Sequence, residues 1–296
     1  MIEIESVVDA YLSTFDDLSR GVGGRLGYWA KCFAGELIHE ITPEQVDVAV
    51  ANLVKRGKLK GGKGLETVHT GKPLAPATVD RYVGDLAGMY KFARANRMVP
   101  REFVPPTHGL SKMAETVYHD RYFKREDVEK FIKMARVTDL NWRKLPALVT
   151  VAYSTGLRKG NLMRLRWKDI DFQQMSIYVG RTKNGDPIYS PLTDQAADEL
   201  LRMYGSRDPD EYVFASRRTG RPFDFRKLWV KTAKAADLEH LCFHSLRHGC
   251  GHALALSGES QSMIMKYMGH RSLTASARYM HASMADKQRV ASKVFF

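Results

Sequence analysis

Apolar residues recur at helical spacing through most of the first hundred positions. VVDAYLSTF (7–15) and GRLGYWAKCFAGELIHEI (24–41) each carry such a stripe and predict helices. TPEQVDVAVANLVKRG (42–57) adds end signals to its stripe. Thr42 stands at the N-cap, Pro43 in the first turn, and Gly57 just past the end. APATVDRYVGDLAGMYKFARAN (75–96) predicts a further amphipathic helix. Its core stripe is Val79, Val83, Leu86, Met89, Tyr90 and Ala93, while Arg81, Lys91 and Arg94 face outward. Between these helices KRGKLKGGKG (55–64) has no period and reads as a cationic loop, either a solvated turn or a phosphate-contacting one.

The pattern breaks over 101–121, a stretch with prolines and no period, and a linker is expected there. Residues 1–100 then form a helical domain and 122–296 a mixed one. In the latter, REDVEKFIKMAR and KLPALVTVAYSTG predict helices, and MSIYVGRTKNGDPIYSPL predicts two short strands around Asn184-Gly185, a strong hairpin signal. From FRKLWVKTAKAADL onward the chain is largely helical again. The fold class is mainly α with a small β-sheet.

Composition changes this picture in one respect. A formal net charge of +13 points to a polyanionic partner, with nucleic acid ahead of an anionic membrane surface. No apolar run approaches the roughly 18 residues that suggest a spanning helix. The acidic N-terminus lacks the basic region of a signal peptide. Three cysteines, an odd number, do not make a disulfide framework, so a reduced, cytoplasmic protein is expected.

Four stretches could carry chemistry. STGLRKGNLMRLRWKDID (154–171) sets Arg158 between the end of one helix, at Gly156, and the start of the next. GRTKNGD (180–186) puts Lys183 beside the hairpin turn. FHSLRHGCGHAL (243–254) places His244 and Arg247 one helical turn apart on a shared face. MGHRSLTASARYMH (268–281) sets Tyr279 nine residues after His270, flanked by Arg278 and His281. Taken singly each has an ordinary reading as surface charge, helix-face pair or packing aromatic. The cluster of Cys242, His244, His248, Cys250 and His252 raises a metal site. Cys250, however, falls on the other side of the helix from His248 and His252, and no C-x-x-C occurs. His248 and His252 read instead as packing or hydrogen-bonding groups beneath the site, and no metal or other cofactor is expected.

Taken together, the Arg of TGLR, the Lys beside a hairpin turn, His-x-x-Arg, Gly-His and the following Tyr resemble the tyrosine recombinases, specifically the phage-type integrases. W-x-D-I-D in RWKDID and Tyr-x-His in YMH fit as well. The resemblance covers 120–285 strongly and the N-terminal part more loosely. It implies a helical core-binding domain, a mixed α/β catalytic domain, and site-specific strand exchange through a 3′-phosphotyrosyl intermediate without metal or ATP. The implied catalytic set is Arg158, Lys183, His244, Arg247, His270 and Tyr279. The two arginines clamp the phosphate, His270 donates to it, His244 serves Tyr279 as base or orienter, and Lys183 protonates the departing 5′ oxygen. The implied partners are double-stranded DNA, clamped between the two domains, a homo-tetramer on synapsed DNA, and accessory DNA-bending or directionality proteins. Integration and excision of a phage or mobile element is the expected task, with a chromosome- or plasmid-resolving recombinase as the alternative. The first hundred residues suffice for a core-binding domain only, and a further arm-site domain is not expected. The apolar tail, Val290, Val294, Phe295 and Phe296, is expected to dock on its own domain or on a neighbour. One departure stands out. Where many members carry a carboxylate three residues after the first Arg, this chain has Asn161, and Gly249 and Cys250 replace a commoner Thr-containing pattern.

Overall fold

A computed structural model describes residues 2–15, 21–60, 68–111, 113, 121–140, 143–180, 187–203, 205, 207–270, 272–277 and 279. The chain divides into two compact units, Met1–Val117 and Tyr118–Phe296.

Among the described residues the first unit is built on four helices: α1 (Ile4–Thr14), α2 (Val22–Cys32), α3 (Pro43–Arg56) and α4 (Pro76–Ala95). Two short antiparallel strands, β1 (Leu59–Lys60) and β2 (Val68–His69), rise between α3 and α4. α3 begins at the expected N-cap, Thr42, where the structure adds a capping box. The Thr42 side chain accepts from the Gln45 backbone N–H and the Gln45 side chain accepts from that of Thr42, so two otherwise orphaned donors are met. Gly57 ends it at φ +70. The stripe on α4 is buried as expected at Val79, Leu86, Met89, Tyr90 and Ala93, and Val83 packs against the core that the last four join.

The stretch 24–41 departs from its expected helix. α2 stops at Cys32, and Phe33, Ile38 and Ile41 are buried from irregular backbone. Gly35 takes φ +77, and the chain beyond it pairs with the N-terminus: the Ile38 N–H donates to the Ile2 carbonyl and the Ile4 N–H to Glu36. The apolar spacing there records burial without a helix. Part of the expected linker belongs to this core too, since Phe103 and Leu110 pack against it.

The second unit is organised around α6 (Lys144–Thr155), which packs against the preceding α5 (Arg125–Thr138). α6 is apolar on nearly every side, the mark of a central helix. Buried Asp139 starts it, accepting from the backbone N–H groups of Lys144 and Leu145. Gly156 closes it in the left-handed region at φ +62. A short helix, α7 (Lys159–Leu162), follows, then a 3-10 turn at Trp167–Asp169. The antiparallel sheet β3 (Ile170–Asp171), β4 (Ser176–Val179) and β5 (Ile188–Pro191) pairs Tyr178 with Tyr189 and Val179 with Ile188. The expected hairpin is therefore present, while its turn, with Lys183, Asn184 and Gly185, lies outside the described residues. Helices α8 (Asp194–Leu201), α9 (Arg226–Ala235), α10 (His244–Leu256), α11 (Gln261–Met268) and α12 (Leu273–Ala277) complete the unit. The tail from 280 onward is likewise outside the described residues. Among the described residues no helix is long and apolar enough to cross a membrane.

Candidate active site

Arg247 is the centre of the arrangement. It projects from the first turn of α10 and is 5% exposed. One guanidinium nitrogen, Nη1, donates to the Gly156 carbonyl and the other, Nη2, to that of Met268 at 2.8 Å. The first acceptor lies two residues before Arg158 and the second two residues before His270. A single side chain thus binds together three of the four stretches singled out in the sequence.

Other contacts tighten the same junction. The Tyr267 hydroxyl donates to the Ser154 carbonyl at 2.7 Å, at the end of α6. A Cβ at Gly156 would sit 3.1 Å from Cys250 Sγ and 3.2 Å from Met268 Cε, so the turn before Arg158 presses on α10 and α11. Burial raises the Cys250 thiol to about 12 despite the opposing charge of Arg247. It raises the Tyr267 phenol to about 12 as well, with Cys250 adding to the effect. Neither group is an available nucleophile at neutral pH.

Arg158 stands at the N-cap of α7. Its Nη1 is buried and has no hydrogen-bond partner among the described residues. A buried unmet donor costs about 1–3 kcal/mol, a cost that an acceptor reaching it would relieve. Asn161, at the position of the family's carboxylate, is also buried, and its Nδ2 is likewise unmet among the described residues.

His270 follows Gly269, which ends α11 at φ +61. Its Nδ1 lies 2.7 Å from Ser276 Oγ, a buried hydroxyl that sequence reading missed because nothing in GHRSLTAS marks it. Tyr279 lies behind this pair and is 4% exposed. Its Oη is 3.3 Å from His248 Nδ1, and its ring is parallel to that of His270 at 6.2 Å. His244 opens α10, exposed, with its ring edge-to-face on His248 at 4.9 Å. Arg158, Arg247, His244, His270 and Tyr279 therefore all fall on the few segments that Arg247 gathers.

Among the described residues no group of three His, Cys, Asp or Glu could hold a metal ion. The Cys/His cluster is spread over separate contacts: Cys242 Sγ lies by Ser245 Oγ, Cys250 Sγ faces the Ser154 carbonyl, and His252 stacks on Tyr122 at 3.9 Å. Gly249 has a packing reason that its departure from the common pattern does not reveal. A Cβ there would collide with the Phe123 carbonyl, whose residue's N–H donates to the Ser245 carbonyl of the same helix.

Comparison with known proteins gives a family match and a fold match. The model of the phage integrase family matches residues 121–286. The integrase of Salmonella phage P22 is 23% identical over 283 residues, covering 87% of this chain and 70% of its own. The type 1 fimbriae regulatory protein FimE of Escherichia coli K12 is 29% identical over 147 residues, covering 47% and 74%. In fold, the chain is similar to the Tn1549 transposon integrase, solved in complex with transposon right end DNA, with a TM-score of 0.71 at 14% identity and 99% of both chains covered.

Proposed function

The chain belongs to the phage integrase family of tyrosine recombinases, and we propose that it cuts and rejoins duplex DNA at a specific site to integrate and excise a phage or other mobile element. The observation that carries the reading is the unmet Arg158 Nη1, set in the junction that Arg247 holds together. A phosphodiester supplies the acceptor this donor lacks. The relatives add support, since the P22 and Tn1549 proteins are both named integrases.

The chemistry follows from the residue types. A phenol has a pKa near 10, so holding it ionised at pH 7 costs ~4 kcal/mol. Neighbouring cations and a base reduce that cost. The phosphoryl transition state gathers charge on its non-bridging oxygens, which Arg158 and Arg247 meet with planar donors. A His270 whose Nδ1 accepts from Ser276 carries its proton on Nε2, the nitrogen that donates to the phosphate. His244 acts on the tyrosine side, and Lys183 protonates the departing 5′ oxygen. Tyr279 Oη becomes bonded to phosphorus, leaving a 3′-phosphotyrosyl link that a different 5′-hydroxyl attacks in turn.

Residues 1–100, with Phe103 and Leu110 packed on their core, form the core-binding domain of this proposal, the linker falls in the rest of 101–121, and 122–296 is the catalytic domain. Exchange between two duplexes needs four nucleophiles, hence a homo-tetramer on synapsed DNA, with accessory DNA-bending or directionality proteins setting the direction. The reaction belongs in the bacterial cytoplasm, where the DNA is.

The test is covalency. A duplex selected from a random library for binding is nicked near the cleavage point, so that the cut is trapped. Wild-type protein is expected to accumulate on the 3′ phosphate through Tyr279, while Tyr279→Phe binds the same duplex and forms no adduct. An adduct formed by the Phe variant would remove Tyr279 from the nucleophile's place.

A further inference from the structure

We propose that His248, outside the six residues assigned above, holds the Tyr279 hydroxyl and takes its proton during attack; this rests on the reading of Tyr279 as nucleophile. His248 Nδ1 is 3.3 Å from Oη. That is longer than a mature hydrogen bond, and bonds of this kind tighten when substrate completes a site. The neighbours restrict the phenol to one seat. Gly251, one turn further along α10, lies directly beneath it: a Cβ there would come within 2.6–2.8 Å of three ring atoms. His252 meets the ring edge-on at 5.4 Å and is itself backed by Tyr122. His270 lies parallel on another side, and His244 sets the His248 ring from its edge. Among the described residues, the titratable groups around the Tyr279–His248 pair include His244, His252 and His270, with Tyr122 behind His252 and Tyr267 packed on the same cluster.

A neutral imidazole with its lone pair at Nδ1 suits the task. As Oη bonds to phosphorus and the bond from phosphorus to the 5′ oxygen breaks, the phenolic proton passes to His248 Nδ1. The departing oxygen takes its own proton from the general acid. His248 ends the step as imidazolium, and rejoining returns the proton to Tyr279. A free phenolate is never required.

Single-turnover adduct formation on the nicked duplex tests this. His248→Asn keeps a hydrogen-bonding atom near the Nδ1 position but cannot accept the proton. Its rate is expected to fall ~10²-fold with DNA affinity unchanged, and to keep rising with pH where the wild-type rate has levelled off. Imidazole in solution is expected to restore part of the rate to His248→Gly. Independently of DNA, 3-fluorotyrosine at position 279, read by fluorine NMR, is expected to change its shift and its titration in His248→Asn. His248→Gln serves for the same readings should His248→Asn lose its native circular dichroism. Wild-type rate and an unchanged fluorine titration in a folded variant would overturn the proposal. Failure of the wild-type protein to form an adduct on any duplex would instead overturn the recombinase reading, since the fluorine measurement judges the His248 contact alone.

Discussion

Arg158 and Arg247 bring the same guanidinium to one junction and are held there differently. Arg247 spends two nitrogens on protein carbonyls, whereas Arg158 leaves Nη1 buried and unmet among the described residues. Replacing each by alanine should therefore separate stability from chemistry. Both variants are expected to lose ~10² or more in adduct formation, as loss of a transition-state donor does. Arg247→Ala should also lose about 2–4 kcal/mol of folding stability, because two buried carbonyls lose a charged donor. Arg158→Ala should stay within about 1 kcal/mol of wild type, since relief of an orphaned donor is offset by the lost packing of the side-chain stem. Denaturant titration of both variants checks the difference, and equal losses would contradict the account. The cysteines make a similar contrast. Burial raises Cys250 to about 12. At Cys242 burial also raises the thiol, but hydrogen bonds from Ser245 and from backbone groups outweigh it and the net shift is downward. Iodoacetamide at neutral pH should modify Cys242 well before Cys250, which mass spectrometry reads directly; prior reaction at Cys250 would show that α10 opens in the native state.

Among the elements, α10 carries more of the site than any other described helix, and it does so with two glycines that a helix ordinarily disfavours by about 1 kcal/mol each. Gly249 gives room to the Phe123 carbonyl and Gly251 to the Tyr279 ring. Gly249→Ala is expected to cost about 1–3 kcal/mol despite its better helix propensity, because backbone must move. A stabilised Gly249→Ala protein in a thermal melt would show that the backbone at Phe123 yields freely. These glycines also mark where sequence reading stops. α3 is legible end to end, since Thr42, Pro43 and Gly57 act on their own backbone. The apolar run 24–41 misleads beyond Cys32, because residues 36–38 pair with the distant N-terminus and Phe33, Ile38 and Ile41 are buried without a helix. The motif stretches are legible by order and spacing, yet spacing cannot say which histidine of HSLRHGCGH meets a tyrosine arriving from beyond α11. That depends on how α10, α11 and α12 pack, and neither Gly251 nor Ser276 announces its part.

At the scale of the whole molecule, charge is the dominant property. A net +13 chain bound to a polyanion releases counterions, so affinity should fall steeply with salt. If six to ten phosphates are contacted, the loss between 50 and 200 mM salt is about 10³-fold or more. Fluorescence anisotropy with a labelled duplex measures the slope, and a flat response would count against phosphate contacts as the main source of binding. Adduct formation is expected to proceed in chelator without magnesium or ATP, because arginine donors and a histidine base supply what a metal would.

The double anchorage of Arg247 bears on how silent descendants of such a protein would look. A copy that no longer cut DNA could shed Arg158, or the Tyr279 hydroxyl alone, with little harm to its shape. It could not shed Arg247 without loosening the turns at Gly156 and Met268. Selection for shape alone would retain that arginine long after cutting had ceased, so its presence in a related gene is a poor sign of a working enzyme. The informative positions in such a gene are the ones the fold can do without.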